Sequence, residues 1–310
     1  MKKYIQPILK ALGYYSIKKK WRWHQYITRL QKEDAIRKAE ATAWIEAIDH
    51  RLLPDVKKQD NVTVSLTSHS KRVADFAPFA IYSIFHQTVL PNRIVLNINR
   101  EKWTDDNLPE LIKKLQIAGL EVNLCEDVGP HTKLLSALQK FPDDIIITVD
   151  DDVYYGAELV EELMRGYLES SKLAVVARWA GVIQFKEGKM LPYTCWPDAN
   201  GNEPTDSFYS PLGVAGVLYP PHIFSDEVFD KSVFFKYCKG ADDIWFTIQE
   251  FIHHVPVYYL KDTKWRHNVS VNHYAEYVEN NSDALHFQNV ECGMNDVQLN
   301  NLIEYYHING

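Results

Sequence analysis

The chain has 310 residues, of which 46% are hydrophobic and 24% are charged, and this balance is typical of a globular protein rather than a disordered or fibrous one. Its net charge is −7, but residues 1–38 contain eleven Lys or Arg against two acidic residues and carry +9, which leaves −16 on the remainder. Because this acidic remainder repels phosphate backbones, nucleic acid is not an expected partner.

The basic first segment is interleaved with aromatic and aliphatic residues. In MKKYIQPILKALGYYSIKKK the apolar run is too short and too interrupted for a signal-peptide core or a spanning helix, so we expect a cytoplasmic protein. Residues 1–38 have two interpretations: they lie on an anionic membrane at the inner face of the plasma membrane, or they pack on the body with their lysines in solvent. The widely spaced cysteines are expected to be free thiols in a reducing compartment: Cys125, Cys195, Cys238 and Cys292.

The chain after this segment alternates between short apolar runs and helical patterns. Residues 24–50 predict a helix, and LLPDVKKQDN is typical of a linker into the main domain. Four strands are predicted, at 62–67, 93–98, 120–125 and 144–149, and helices follow them at 76–87, 106–119, 132–141 and 156–170. This alternation predicts an α/β fold with a Rossmann-like, mostly parallel central sheet that is covered by helices on both faces.

Polar side chains follow the predicted strands at the edge where parallel sheets bind ligands. The fourth strand ends directly in Asp150, Asp151 and Asp152. In an extended segment Asp150 and Asp152 would share one face, and two such carboxylates repel each other unless a cation lies between them. Mg²⁺ and Mn²⁺ take oxygen ligands and are commonly held by one or two carboxylates and substrate phosphates. The triplet therefore predicts a metal site, with a solvated acidic turn as the structural alternative.

The second half of the chain, from about residue 180, is less periodic and richer in Pro, Gly, Trp and Tyr, which is typical of substrate-shaping loops. Within it, KGADDIWFTIQEFIHH predicts a helix over 239–254 that begins with the acidic pair Asp242 and Asp243. The later stretch KWRHNVS contributes His267.

A strand that ends in a DxD motif, downstream of a first strand that ends in Thr67 and Ser68 and is followed by Arg72, resembles the GT-A fold of nucleotide-sugar glycosyltransferases. The likeness is greatest to bacterial family 2-like enzymes, and it covers residues 61 to about 260. The second acidic pair strengthens it. The sequence departs from the usual Glu-Asp of that family by having Asp242 and Asp243, which leaves open which carboxylate is the catalytic base.

The resemblance implies a nucleotide-sugar site at these positions. Asp243, the second acid of its pair, is the preferred base of an inverting transfer, with Asp242 as the other candidate. The expected donor-binding residues are Thr67, Ser68, Arg72, Lys133, Asp150 and Asp151, and the expected Mn²⁺ or Mg²⁺ ligands are Asp150, Asp152 and His267. Structural interpretations remain for Lys133 as a solvated lysine, for Arg72 as the partner of a surface acid, and for His267 as a structural histidine. Sugar-stacking candidates, each of which could instead belong to the core, are Trp179, Tyr193, Trp196 and Trp245.

The activity that the resemblance implies is metal-dependent transfer of a sugar from a nucleoside diphosphate sugar, expected to be a UDP-sugar, to a glycan or lipid-linked glycan acceptor. The expected context is bacterial surface polysaccharide synthesis, of a capsule, O-antigen or lipooligosaccharide. The corresponding units are a basic helical arm at 1–58, a nucleotide-sugar-binding half at 59–185, and an acceptor-binding and catalytic half at 186–310.

Two alternatives stay open on the same fold: a carbohydrate-binding protein without turnover, and a metal-dependent nucleotide-sugar pyrophosphate hydrolase. Three others are disfavoured. A haloacid-dehalogenase-type phosphatase carries DxDx[TV] after its first strand, whereas the triplet here follows the fourth. A nucleotidyltransferase or dinucleotide-binding enzyme would have a glycine-rich loop after the first strand, and SLTSHSKR contains no glycine.

Overall fold

The structure is a computed structural model that describes residues 14–49, 58–272, 289–290 and 292–308. The first part of the basic segment and most of the expected linker lie outside these residues. The nine helices of the described chain are α1 Tyr14–Glu46, α2 Arg72–Asp75, α3 Ala77–Phe85, α4 Glu110–Ile117, α5 Thr132–Lys140, α6 Leu159–Glu169, α7 Lys231–Tyr237, α8 Asp242–Ile252 and α9 Met294–Tyr305. The helix predicted over 24–50 is present as α1, which begins earlier, at Tyr14, and ends earlier, at Glu46.

The strands of the described chain number thirteen. They are β1 Lys58–Thr67, β2 Leu90–Asn99, β3 Leu120–Cys125, β4 Ile145–Thr148, β5 Val153–Tyr154, β6 Val175–Ala177, β7 Ala180–Val182, β8 Phe185–Lys186, β9 Lys189–Met190, β10 Tyr209–Pro211, β11 Val217–Tyr219, β12 Val257–Tyr259 and β13 Val269–Ser270. The four strands predicted from the sequence correspond to β1 to β4. The short strands of the second half were not predicted.

Seven strands form the central sheet, in the order β12-β6-β11-β4-β1-β2-β3. Strand β11 runs antiparallel to both of its neighbours, β4 and β6, and the other pairs are parallel. The predicted Rossmann-like, mostly parallel sheet flanked by helices is confirmed. Because β1, β4 and β6 run in the same direction, the residues that follow them lie at one edge of the sheet.

Each face of the sheet has its own hydrophobic core, and strand β4 contributes side chains to both. Ile145 and Ile147 belong to one buried cluster and Ile146 to the other, as alternation along a strand requires. Helices α1, α3, α4 and α6 cover the first face, and α5, α7, α8 and α9 cover the second. All four residues of the run IIIT are buried, and its three consecutive isoleucines lack the polar alternation of a strand with one exposed face.

The arm helix α1 packs on the body through its C-terminal half. Ile45 is fully buried in the first core, and the Lys38 Nζ donates to the Asn272 Oδ1 at 2.5 Å. Towards its N-terminus, Trp21 is 57% exposed and Trp23 is 48% exposed. Packing thus accounts for the C-terminal half of the helix, and residues 21–25 are exposed. In the part of the chain that the structure describes, no helix has the length and apolar character needed to span a membrane.

Candidate active site

The aspartate triplet follows β4 as a turn rather than as an extended strand, since residues 151 and 152 are in a turn before β5 begins. The Asp151 carboxylate points inward and is 7% exposed. The Ser68 Oγ donates to the Asp151 Oδ2 at 2.5 Å, and the Arg72 Nε donates to the same atom at 3.1 Å. The Arg72 Nη2 donates to the Asp151 Oδ1 and lies 2.9 Å from the Asp152 Oδ2. A single guanidinium therefore joins two of the three aspartates.

The pKa values of this part of the site reflect that ion pair. Burial lowers the pKa of Arg72, but the hydrogen bond and charge of Asp151 outweigh it, so the pKa is raised. The pKa of Asp152 is raised to about 6 by burial and by the charges of Asp151 and Asp150, against the opposing charge of Arg72. The structural interpretation paired Arg72 with an acid at the surface. Arg72 does pair with acids, but they are Asp151 and Asp152 of the aspartate turn.

A second cation joins the triplet to α8. Lys133, the second residue of α5, is only 7% exposed. Its Nζ donates to the Asp150 Oδ1 at 2.7 Å and lies 3.0 Å from the Asp242 Oδ2. Burial lowers the pKa of Lys133, but Asp150, Asp242 and Asp243 together raise it well above its ordinary value. The interpretation of Lys133 as a solvated lysine is therefore wrong.

The two acids that begin α8 lie in different environments, because consecutive residues of a helix point in different directions. Asp242 is buried beside Lys133, and although burial raises its pKa, that cation lowers it overall. Asp243 is partly exposed, and both of its carboxylate oxygens accept from the Gly213 N–H, at 3.2 and 3.1 Å. Burial and the charge of Asp242 raise the pKa of Asp243 to about 7.

Gly213 is a residue of the site that sequence reasoning missed. It lies in the loop between β10 and β11, and a Cβ there would be 2.8 Å from the Asp243 Oδ1 and 3.1 Å from the Lys133 Nζ. No other side chain would fit without displacing the carboxylate or the ammonium. The glycines of LGVAG were the available signal, but nothing in the sequence connects that loop to α8.

The segment that carries His267 is tied to the aspartate turn through the backbone. Strand β13 pairs with β5 immediately after the triplet, and the Val271 N–H donates to the Asp152 carbonyl at 2.7 Å. The His267 side chain lies against Gly156. Among the residues that the structure describes, no three His, Cys, Asp or Glu side chains are grouped to hold a metal ion. His267 as a metal ligand stays a prediction.

The remaining predicted residues differ in how deeply they are buried and in what they contact. The Thr67 Oγ1 donates to the Asn97 carbonyl at 3.0 Å, at the end of β1. Trp245 is fully buried in the second core, so the sugar-stacking interpretation of this residue is wrong. Tyr193 and Trp196 contact each other, with ring centroids 5.3 Å apart, and pack on the same core. Trp179 is partly exposed and stacks on Trp265 with centroids 4.2 Å apart.

No protein-family model matches the chain, and no curated protein matches its sequence. Solved structures of similar fold include residues 1–349 of S. aureus TarS in complex with UDP, at 15% identity and a TM-score of 0.42, covering 66% of this chain. The chain spans 58% of that TarS fragment. UTP-bound UGPase from Acinetobacter baumannii is 12% identical, with a TM-score of 0.38 and coverage of 71% of this chain and 91% of its own. The mannosyltransferase PcManGT from Pyrobaculum calidifontis, in complex with GDP-Man and Mn²⁺, is 14% identical, with a TM-score of 0.31 and coverage of 49% and 45%. Each likeness concerns the fold alone.

Taken together, the structure gathers Ser68, Arg72 and the aspartate turn into one network, and Lys133 with the α8 acids into another that shares Asp150. Five carboxylates face two cations, so the site carries an excess of negative charge. An anionic ligand such as a diphosphate would be repelled from it unless a further cation entered with the ligand.

Proposed function

We propose that the protein is a glycosyltransferase that moves a sugar from a nucleoside diphosphate sugar, a UDP-sugar in the first instance, to a glycan acceptor with inversion at the anomeric carbon. One observation carries the proposal. Asp243, a partly exposed carboxylate with a pKa of about 7, is held by a backbone N–H beside Lys133 and the aspartate turn, at the ligand-binding edge of the sheet. A general base works best when its pKa is near the operating pH.

The donor side of the site fits a hard divalent cation. Asp150 and Asp152 offer carboxylate oxygens, and the charge excess described above favours a cation that arrives with the diphosphate. We propose that these two aspartates hold Mn²⁺ or Mg²⁺, with His267 as a further ligand. When bound, such an ion stabilises the negative charge of a leaving diphosphate as a Lewis acid.

The chain's own residues supply the rest of the chemistry. An acceptor hydroxyl oxygen forms the new bond to the anomeric carbon, the bond from that carbon to the diphosphate oxygen breaks, and the nucleoside diphosphate leaves with the electron pair. Asp243 takes the acceptor proton, and Lys133 contributes positive charge next to the leaving group. Ser68 and Arg72 hold the aspartate turn in place, and we propose that Thr67 with these two residues contacts the nucleotide.

The acceptor and its cellular context complete the proposal. We propose that the acceptor is a glycan or lipid-linked glycan of a bacterial surface polysaccharide, and that the protein acts at the cytoplasmic face of the membrane. The support is the exposed stretch at residues 21–25 of α1, which carries Trp21, Arg22 and Trp23 within the basic segment.

The deciding experiment incubates the protein with nucleoside diphosphate sugars, Mn²⁺ and a set of glycan acceptors, and follows nucleoside diphosphate release and glycan mass. Product is expected only with donor and acceptor together, and proton NMR should show a β-linked product from an α-linked donor. Release of sugar phosphate and nucleotide without acceptor would instead show a hydrolase, and donor binding without turnover a binding protein. Synthesis of a nucleotide sugar from a nucleoside triphosphate and a sugar phosphate would show a nucleotidyltransferase. Retention of the anomeric configuration would remove the assignment of Asp243 as base of a single displacement.

A further inference from the structure

A buried ion pair joins α6 to the end of β6. Arg178 is fully buried, and its Nε donates to the Glu162 Oε2 at 2.8 Å. Glu162 is 7% exposed. Burying such a pair costs desolvation free energy that the mutual attraction seldom exceeds, so well-packed apolar residues of similar volume are often equally or more stabilising. Stability alone is therefore a poor reason for this pair.

The guanidinium holds the loop that positions Asp243. The Arg178 Nη1 donates to the Ala215 carbonyl at 3.0 Å. At the other end of the same loop, the Leu212 N–H donates to the carbonyl of Trp179, the next residue after Arg178, at 3.0 Å. Between these two anchors lies Gly213, whose N–H binds the Asp243 carboxylate. The orientation of that N–H is thus set by residues 178 and 179.

The carboxylate of the pair holds a second loop. The Glu162 Oε1 accepts from the Lys264 N–H at 2.9 Å, and the Thr263 Oγ1 donates to the Arg178 carbonyl at 3.4 Å. The turn that begins there carries Trp265 and His267. One buried pair therefore anchors two loops that belong to different ends of the second half of the chain.

We infer that Arg178 and Glu162 are positioning residues, which fix the Gly213 loop against Asp243 and hold the 263–267 turn against Gly156 and Glu158, shortly after the aspartate turn. The inference rests on the proposed function for its catalytic consequence, and on the hydrogen bonds above for its structural part. Neither side chain touches the reacting atoms. Their effect is on the placement of the base, where a displacement of about 1 Å costs about 10²-fold in rate.

The test separates positioning from stability with the double variant Arg178→Met and Glu162→Met. Removing both charges should leave the melting temperature equal to or above that of the wild type, while kcat falls by about 10²-fold and KM for the donor changes little. Arg93→Met is the matched control, because Arg93 pairs with Asp144 at the opposite end of β4. It should change the melting temperature without changing kcat. A double variant that is folded and has wild-type kcat overturns the inference.

Two further readouts do not depend on a change in folded-state stability, and the second of them also does not require the acceptor. The pH at which kcat reaches half its maximum should rise in the double variant, since the Gly213 N–H lowers the pKa of Asp243, which also faces Asp242, Lys133 and Asp150. Hydrogen exchange at the Gly213 amide should become faster. If that amide stays as protected as in the wild type, the inference fails even where the transferase activity is confirmed; if no transferase activity is found, faster exchange still supports the structural part.

Discussion

Asp242 and Asp243 are adjacent in the chain but differ in what they contact, and the difference assigns them separate roles. Asp242 neutralises a buried lysine, whereas Asp243 is partly exposed and is held by a backbone N–H. Asp243→Asn should lower turnover by about 10² to 10⁴-fold with little change in donor affinity, because only the base is lost. Asp242→Asn should mainly lower the melting temperature, since it leaves Lys133 with one partner fewer. A folded Asp242→Asn protein with the larger loss of turnover would reverse the two roles.

The raised pKa of Asp243 also predicts a pH dependence. The carboxylate must be ionised to accept a proton, so kcat should rise as pH increases through about 7 and level off above it. Below that pH the logarithm of kcat should fall by about one for each unit of pH. The profile should be measured with saturating donor, and a profile that is flat from pH 5 to pH 8 would contradict the assignment.

Gly213 is required by its surroundings rather than by its backbone conformation. Gly213→Ala should reduce kcat by at least about 10²-fold, because the added Cβ would displace the Asp243 carboxylate or the Lys133 ammonium. Gly181→Ala is the matched control, since a Cβ there would meet Trp196 at 3.7 Å, an ordinary contact. Steady-state kinetics on both variants, with circular dichroism to show folding, would check the difference.

Glu250 is a buried acid that the proposed mechanism does not use. It is 2% exposed, and neither carboxylate oxygen has a hydrogen-bond partner among the described residues. Burial, and then the charge of Asp243, raise its pKa well above the ordinary value. Above the unfolded-state pKa, the unfolded chain releases a proton that the folded protein retains. The free energy of unfolding should therefore fall as pH rises towards the folded-state pKa, by about 1.4 kcal/mol per pH unit for this group.

Glu250→Gln should remove that pH dependence because the amide does not ionise. The variant should gain stability relative to the wild type as pH rises from 5 to 8, as measured by urea denaturation. Glu101→Gln, at an exposed position, serves as the control and should show no such trend. A stability difference that is independent of pH would show that Glu250 is ionised in the folded protein.

The arm helix α1 combines a packed C-terminal half with an exposed stretch at residues 21–25, and the two should respond to different substitutions. Ile45→Ala removes a fully buried side chain and should cost about 2 to 5 kcal/mol in the free energy of unfolding. The triple variant Trp21→Ala, Arg22→Glu and Trp23→Ala changes exposed residues and should leave the melting temperature unchanged.

Sedimentation with vesicles tests the exposed stretch at residues 21–25. The wild type should sediment with anionic vesicles and be released as salt rises, at about 1 kcal/mol per basic residue near the surface. The triple variant should sediment less, and Ile45→Ala should sediment as the wild type does. Equal sedimentation of the triple variant and the wild type would leave α1 with a packing role alone.

Donor, cation and protein should form one coupled system, because the site has more carboxylates than cations. A nucleoside diphosphate sugar at 100 times its dissociation constant should stabilise the protein by about 2.7 kcal/mol in the presence of Mn²⁺, and much less with chelator. Asp152→Ala should abolish this cation-dependent shift while leaving the fold intact or slightly stabilised, since it relieves repulsion with Asp150 and Asp151. An equal thermal shift with and without chelator would contradict a metal-dependent donor site.

The first half of the fold could be predicted from the sequence because its signals are local. Strand β4 begins with three consecutive isoleucines because both of its faces are buried, and β3 has the predicted bounds 120–125, over which apolar and polar residues alternate in LEVNLC. Strands β6, β11 and β12 contain three residues each, which is too short for a period to be seen. Their places in the sheet are set by pairing with distant strands.

The candidate site shows the same division between local and distant information. Position after a buried strand was enough to single out Asp150, Asp151 and Asp152, and position at a helix start was enough for Lys133, Asp242 and Asp243. Which of these residues contact one another depended on the tertiary structure. Ser68 and Asp151 are 83 residues apart in the chain, and Gly213 and Asp243 are 30 apart. A carboxylate's partners depend on chain segments that meet only when the sheet assembles, so the identities of the chemical groups were readable from the sequence while their pairing was decided by the fold.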